Sequence, residues 1–512
     1  MADSAPHHDS PKTLAMLWSG ALAAGSVIGV IASQIVSIPV ITGTTSATTY
    51  NIPAWLCVPF LVLLACIATG PLLFQKFWHR FDAAIAFFLG GTILGFYVAG
   101  LRENNYGSSH MMHVALEYIG FIALVGGLYI ASAGIELLFV PLGKKRTPGL
   151  EQMGHAGPWS NTMILLIGAV LANFIGTTGA SVLLIRPFIR VNASHGTEAE
   201  GHKGHGALPG RLRPMHIVFF ILIVSNCGGC LTPIGDPPLY LGFIKGIPFS
   251  WTTIHLWEDW LLVVGLLLAV FFTYDSWVER QFKTLKGPAY EPPAKFVFMR
   301  VRARAISLFL IALIVGCVFV DPIIHKFSPN WHYPVGAPIQ IILAIIAYRL
   351  ADQEIKARNE FSFGPVREVA TLFVGIFLTM TPALAYLAMH GGSWGIDTPT
   401  SLYWATGSLS AVLDNAPTYL NFVQVAVAPE EVNRQTLSQL LATDVGIKDI
   451  IAISTGAVFF GALTYIGNGP NFMVRSIAQS RDVKMPSFFG YALKACAILV
   501  PILVIHWLLF IK

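Results

Sequence analysis

Charge is what this sequence has least of. Lys, Arg, Asp and Glu make up 12% of its 512 residues, about half the share usual in a soluble domain. A soluble globule of this size could not cover its surface with so few. The shortage excludes a water-soluble or disordered chain. It also excludes a nucleic-acid binder, because the 32 basic residues fall between apolar runs instead of gathering on one surface. Cysteine is scarce too, and six in the whole chain do not build a disulfide framework. No His-Glu-x-x-His motif and no phosphate loop occurs.

Apolar residues are abundant, at 54%, with a mean hydropathy of +0.65. About 13 apolar segments can be marked, near 14–33, 53–75, 82–100, 113–141, 161–186, 215–234, 252–274, 304–321, 335–350, 367–389, 402–428, 448–468 and 488–511. A span needs about 20 apolar residues, so most qualify. The pattern predicts an all-α polytopic membrane protein with about 11–13 transmembrane helices. The first segment reads as a membrane helix rather than a secretory signal, since its polar leader holds one basic residue, Lys12. Segment 280–304 carries Arg280, Lys283, Lys286, Lys295, Arg300, Arg302 and Arg304, whereas 390–401 has no Lys or Arg. The positive-inside rule then places 280–304, 349–367 and Lys144–Arg146 in the cytoplasm, the membrane being the cell inner membrane.

The two halves resemble each other. Leu231–Gly242 aligns with Leu463–Val474 at an offset of 232, with five of twelve positions identical. Val170–Asn173 aligns with Val412–Asn415 at an offset of 242, which predicts a ten-residue insertion in the polar stretch 191–210. The expected organisation is scaffold helices over 1–150 and a first repeat over 151–275. A basic linker over 276–303, second scaffold helices over 304–400 and a second repeat over 401–512 complete it.

Pro233, Pro237 and Pro238 interrupt an apolar run just after Gly228 and Gly229, and Gly467, Gly469 and Pro470 do the same in the second copy. Broken helices survive at membrane depth only where they line a cavity or are buried in protein. A matched pair in two repeats points to a transporter's binding site. The breaks carry Asn226, Thr232 and Asp236 in one copy, and Thr464, Asn468 and Asn471 in the other. Two further elements, 173–181 with Thr177, Thr178 and Ser181, and 408–418 with Asp414, Asn415 and Thr418, suit re-entrant hairpins. A desolvated carboxylate holds its proton and a bound cation displaces it, so Asp236 and Asp414 are candidates to bind transported Na⁺ or H⁺. Arg186 is a candidate contact for an anion, or an interfacial arginine.

Gly-Gly-x-x-Thr-x-Ile-Gly-x-Pro-Pro at 228–238, its echo at 461–471 and Asp-Asn-Ala-Pro-Thr at 414–418 resemble the ion transporter superfamily. That superfamily includes NhaD-type sodium/proton antiporters, arsenite permeases and citrate or dicarboxylate carriers. The resemblance implies two inverted repeats with re-entrant hairpins and broken helices, alternating access, and a homodimer in the bilayer. By the same resemblance, Thr177, Thr178, Ser181, Asp414, Asn415 and Thr418 fall on the hairpins. Thr232, Asp236, Thr464, Asn468 and Asn471 fall on the breaks. Carboxylate carriers of this group show Ser-Asn-Thr at both hairpin tips, whereas this chain has Gly-Thr-Thr and Asp-Asn-Ala-Pro-Thr. The added acids favour a proton-coupled Na⁺ exchanger. The alternative is a citrate or dicarboxylate carrier driven by H⁺ or Na⁺.

Other signals lead elsewhere or nowhere. Cys227-Gly-Gly-Cys230 reads as small packing residues, and His195, His202 and His205 as a solvated insertion. Glu117 could join a proton path, and Glu136 reads as a partner for Lys144 or Lys145. Tyr274-Asp275 and Pro382-Ala-Leu384 echo intramembrane aspartyl proteases, but Tyr-Asp follows the Gly-Asp pair instead of preceding it, so no enzyme is expected. No cofactor is expected either. A passive channel is a further use of broken helices.

Overall fold

The computed structural model describes residues 11–41, 49–141, 156–192, 211–287, 292–293, 297–327, 335–359 and 361–512. The Lys144–Arg146 loop, the histidines at 195, 202 and 205, and parts of the basic segment 280–304 lie outside them. The protein is an all-α polytopic membrane protein. Ten helices among the described residues are long and apolar enough to cross a membrane, and two shorter apolar ones, Ala54–Gly70 and Gly336–Leu350, accompany them.

The chain divides into two compact units. The first holds α1 (Pro11–Ile35), α2 (Val58–Leu73), α3 (Gln75–Gly100), the first part of α4 (Tyr106–Ser132) and α13 (Gly364–His390). Strands β1 (Val40–Ile41) and β2 (Thr49–Tyr50) pair antiparallel beside them. Gly25 and Gly29 of α1 lie against the carbonyls of Phe88 and Thr92 on α3, an approach that any side chain would block. Tyr50, Ile52, Leu56, Ile93, Phe96 and Tyr97 form the adjoining core.

The second unit contains the duplicated elements. Its first repeat comprises α5 (Pro158–Asn192), α6 (Pro214–Ile223), α7 (Pro237–Lys245) and α8 (Phe249–Lys286). After α9 (Ala305–Gly316), α10 (Val320–Phe327), α11 (Gly336–Leu350) and α12 (Gln353–Arg358) come α14 (Pro399–Ser410) and α15 (Asn415–Val427). The unit ends with α16 (Arg434–Leu440), α17 (Asp444–Phe460), α18 (Gly469–Ser480) and α19 (Phe488–His506).

Segment 113–141 is not one span. The helix ends at Ser132, and Ile135–Pro141 forms strand β3, paired antiparallel with β4 (Val297–Ala303) from inside the basic stretch. Ile135, Phe139 and Val140, with two leucines between, suit an extended strand once the helix has ended at Ser132. Glu136, expected to face Lys144 or Lys145, is buried and has Arg302 at 3.7 Å and Arg358 at 3.9 Å.

α5 folds back on itself. At Gly176 the backbone has φ +78°, and the helix direction breaks there. Asn161 and Asn192, at the two ends of the hairpin, exchange reciprocal amide hydrogen bonds of 2.8 Å, and Ala156 N–H donates to the Val191 carbonyl. The expected hairpin therefore runs over 158–192, longer at its C-terminal end than the apolar run suggests. In the second repeat, α14 and α15 are the arms and 411–414 the tip.

Candidate functional site

Both breaks interrupt their helices as expected, and they do so alike. After a 3₁₀ turn (Cys227–Leu231 in one copy, Gly461–Leu463 in the other) the chain makes a short non-helical turn, extended at its first and last residues, into the N-cap of the next helix. Thr232 has φ/ψ −134°/155° and Asp236 −140°/143°. Thr464 has −133°/168° and Asn468 −155°/139°.

The same two hydrogen bonds latch each break to its hairpin. Thr232 Oγ1 donates to the Asn173 carbonyl and Thr464 Oγ1 to the Ala411 carbonyl, both at 2.6 Å. Thr177 N–H donates to the Gly235 carbonyl and Asn415 N–H to the Gly467 carbonyl. The hairpin tips therefore correspond as Asn173 to Ala411 and Thr177 to Asn415, an offset of 238. This corrects the expected pairing of Asn173 with Asn415 at 242, and the first repeat is longer by six residues rather than ten. The local Val-Leu-x-Asn similarity is four residues out of the spatial register.

Asp236 lies where these elements meet, 1% exposed. Its Oδ1 accepts from Thr177 Oγ1 and from Asn468 Nδ2, each at 2.9 Å, and its Oδ2 accepts from Asn415 Nδ2 at 2.7 Å. One donor comes from its own hairpin tip, one from the other repeat's tip and one from its own counterpart. Four helices begin at this point: α7 behind Asp236, α18 behind Asn468, α15 at Asn415 and the return arm of α5 at Thr177. Each turns its positive end toward the carboxylate.

The remaining expected residues fall into supporting places. Asn226 Nδ2 donates to Asn471 Oδ1 at 2.7 Å, and Asn471 Nδ2 donates to the carbonyls of Gly461 and Thr464, so this pair ties the two breaks together. Ser181 Oγ lies 2.8 Å from Ser225 Oγ. Thr178 lines, with Thr177, Pro233, Ile234 and Tyr240, a small cleft beside Asp236. Asp414 is half-buried and turns its Oδ1 to the Ala416 N–H, capping α15, while Thr418 Oγ1 donates to the Asp414 carbonyl. Arg186 is half-buried three turns past the tip and does not line the cleft. Glu117 is half-buried on α4. Cys227 and Cys230 are buried free thiols.

Among the described residues two buried amide oxygens of these elements lack a donor: Asn226 Oδ1, on the side chain that holds Asn471, and Asn415 Oδ1, on the side chain that holds Asp236. Both amide orientations are fixed, because each Nδ2 faces an acceptor, the Ile221 carbonyl and Asp236 respectively. A buried acceptor without a donor is costly. Together with the Asp236 carboxylate, these hard oxygens could take a small cation.

Sequence reasoning passed over several groups. Asn173 Oδ1 accepts from Leu231 N–H, and its Nδ2 donates to the Gly228 carbonyl, fastening the hairpin to the 3₁₀ turn. At the base of the hairpin, buried Arg211 bonds Asp275, Glu279 and Asn192, and Asp275 also holds His216 and Asn161. Asp259 pairs with His506. No motif marks Arg211, His216, Asp259, Glu279 or His506, and the short runs that hold Asn173 and Asp275 point to other roles. Only an apolar setting for isolated ionisable groups could have flagged Asp259 and Asp275.

Residues 49–511 match the profile of a family described as "Putative citrate transport". Over 301 residues, 54% of the chain, the sequence is 25% identical to the "46 kDa membrane protein" of Mycobacterium leprae (strain TN). The match spans 63% of that relative's length.

Proposed function

The chain belongs to this citrate-transport family, and from that premise we propose that it is a secondary transporter that moves citrate or a similar small carboxylate together with a cation held at Asp236. The observation that carries the reading is the meeting of four helix N-termini at one buried point. Backbone N–H groups and helix dipoles at such a point favour an anion without a cationic side chain. Asp236 by itself would oppose a carboxylate. A cation among Asp236, Asn226 Oδ1 and Asn415 Oδ1 offsets that charge, so substrate and cation bind better together than apart. The two hairpin tips and two breaks would then change their exposure between the membrane faces by alternating access. We place the protein in the cell inner membrane as a homodimer, with segment 280–304 on the cytoplasmic side.

A second reading, Na⁺/H⁺ exchange, is favoured by the donors themselves. Among the described residues the Asp236 carboxylate is held by two amides and a hydroxyl, and by no cationic side chain.

One experiment separates the two. Purified protein in proteoliposomes is given radiolabelled citrate under an imposed Na⁺ or pH gradient, with a pH-sensitive dye inside. Citrate accumulation that needs the gradient supports the proposal. Na⁺-driven proton movement without citrate, and no citrate uptake, replaces it with exchange.

A further inference from the structure

Away from Asp236, α8 buries a second acid. Asp259 is 3% exposed, and its Oδ1 lies 2.7 Å from Nε2 of His506 on α19. His506 is fully buried, and its Nδ1 lies 3.0 Å from the Tyr403 hydroxyl, which also reaches the Leu503 carbonyl at 3.3 Å. None of these side chains holds Asp236 or its donors, and nothing in the binding of a carboxylate requires them.

The triad can hold or release one proton with both ring nitrogens and the hydroxyl still paired. With a neutral ring, Nε2–H donates to the Asp259 carboxylate and the Tyr403 hydroxyl donates to Nδ1, leaving one net negative charge. When a proton binds at Nδ1, an N–H bond forms there and the ring becomes an imidazolium. The tyrosine oxygen now accepts that N–H, and its own hydrogen turns to the Leu503 carbonyl. The net charge becomes zero. In a nonpolar interior that change is large, and ionisable groups are kept there for function.

The triad also touches the second hairpin. Tyr403 lies on α14, the arm that leads to Asp414 and Asn415. Among the described residues, α8 presents Asp259 to His506, α14 presents Tyr403, and α17 and the end of the chain present the rings of Phe459 and Phe510. The other titratable neighbours are two thiols of the first break, Cys230 toward Asp259 and Cys227 toward Tyr403.

We propose that Asp259, His506 and Tyr403 form a proton-binding site separate from the substrate site, which takes up one proton in each cycle and passes the change to the second hairpin through Tyr403. The role in a cycle rests on the transport reading above.

The test uses the full chain in proteoliposomes, comparing wild type with His506→Gln, Asp259→Asn and Tyr403→Phe. Two rates are read: citrate exchange at equal pH, and net citrate uptake driven by a pH gradient. In His506→Gln, gradient-driven uptake should fall at least about tenfold and lose its dependence on pH, while exchange falls less than about threefold. A His506→Gln protein with the wild-type pH profile and gradient response overturns the proposal. Should that variant fail to fold, Tyr403→Phe keeps the core ring and decides by the same two rates. If the wild type carries no citrate, the transport reading fails by itself. The proton site is then judged by nitrogen chemical shifts of labelled histidine in detergent. The resonance missing from His506→Gln must move with pH and be altered by Asp259→Asn, and a resonance that does not move overturns the site.

Discussion

Asp236 and Asn468 hold the same place in the two repeats, 232 residues apart, and their side chains hydrogen-bond to each other at 2.9 Å. Each stands at the N-cap position of the helix that follows its break, with its side chain turned to the other instead of to that helix's backbone. A duplicated unit would begin with the same residue at both places, yet two acids this close could not both be ionised. The amide at 468 instead donates a hydrogen bond to the acid at 236.

Asn468→Asp restores that conflict. Two carboxylates in hydrogen-bond contact must share a proton. At low pH one proton bridges them and the geometry survives. As pH rises the proton leaves and repulsion opens the contact. Transport by this variant should therefore fall with rising pH more steeply than in the wild type. Rates in proteoliposomes across pH 5.5 to 8.5 check this, and a profile parallel to the wild type would contradict it.

The two aspartates of the site should not respond alike. Asp236 serves three donors with its two carboxyl oxygens. Asp236→Asn offers one oxygen and turns an NH₂ toward at least one donor, a loss of about 1–3 kcal/mol per unmet group. The proposed cation would also lose the one acidic group among Asp236, Asn226 and Asn415. Transport should drop to background. Asp414 accepts one bond, from Ala416 N–H, as an N-cap. Asparagine caps as well as aspartate does, so Asp414→Asn should stay within about tenfold of wild type. Equal losses in both variants, in protein that elutes as a single peak, would put Asp414 on the same footing as Asp236.

Each break closes through a pair of glycines six residues apart. A methyl group at Gly235 would sit 2.1 Å from the Gly229 carbonyl oxygen, and one at Gly467 would sit 2.6 Å from the Gly461 carbonyl oxygen. The carbonyls of Gly235 and Gly467 receive the N–H groups of Thr177 and Asn415, so any backbone shift there moves the donors of Asp236. Gly235→Ala should cost about 1–3 kcal/mol or more and lower the melting temperature in detergent, with transport lost. Gly467→Ala should do the same. Unaltered melting in either would show that the breaks are looser than their carbonyl contacts imply.

Much of this site could be read from the sequence, because proline and glycine interrupt apolar runs in ways no membrane helix tolerates idly. Thr177, Asn415, Asn468 and Asp236 all lie within such interruptions or at the hairpin tips facing them. What could not be read depends on distance along the chain. His506 finds Asp259 across 247 residues, and Arg211 finds Asp275 across 64, with no local pattern at either end. The register of the hairpin tips escaped because a short run, Val-Leu-x-Asn, recurs four residues from the true equivalence. Strand β3 escaped because hydropathy continues unbroken past Gly134 while backbone direction does not.

The hairpin's base offers the last test. Arg211 is fully buried and bonds Asp275, Glu279 and Asn192, while Asn161 bonds both Asp275 and Asn192. The two ends of α5 are thus held to each other and to α8 by one charged cluster. Arg211→Met leaves Asp275 buried without its guanidinium, a break of the kind that costs about 3–5 kcal/mol. Thermal unfolding in detergent should shift down clearly, and transport should fall because the hairpin carrying Thr177 loses its anchor. Removing the stranded charge as well, in Arg211→Met with Asp275→Leu, should recover part of the stability, since replacing a whole buried pair by apolar groups is far cheaper than halving it. Transport in that double variant should stay low, because Asn161 and His216 then lose the acid that holds them. A double variant no more stable than the single one would mean that the cluster holds the hairpin by shape rather than by charge.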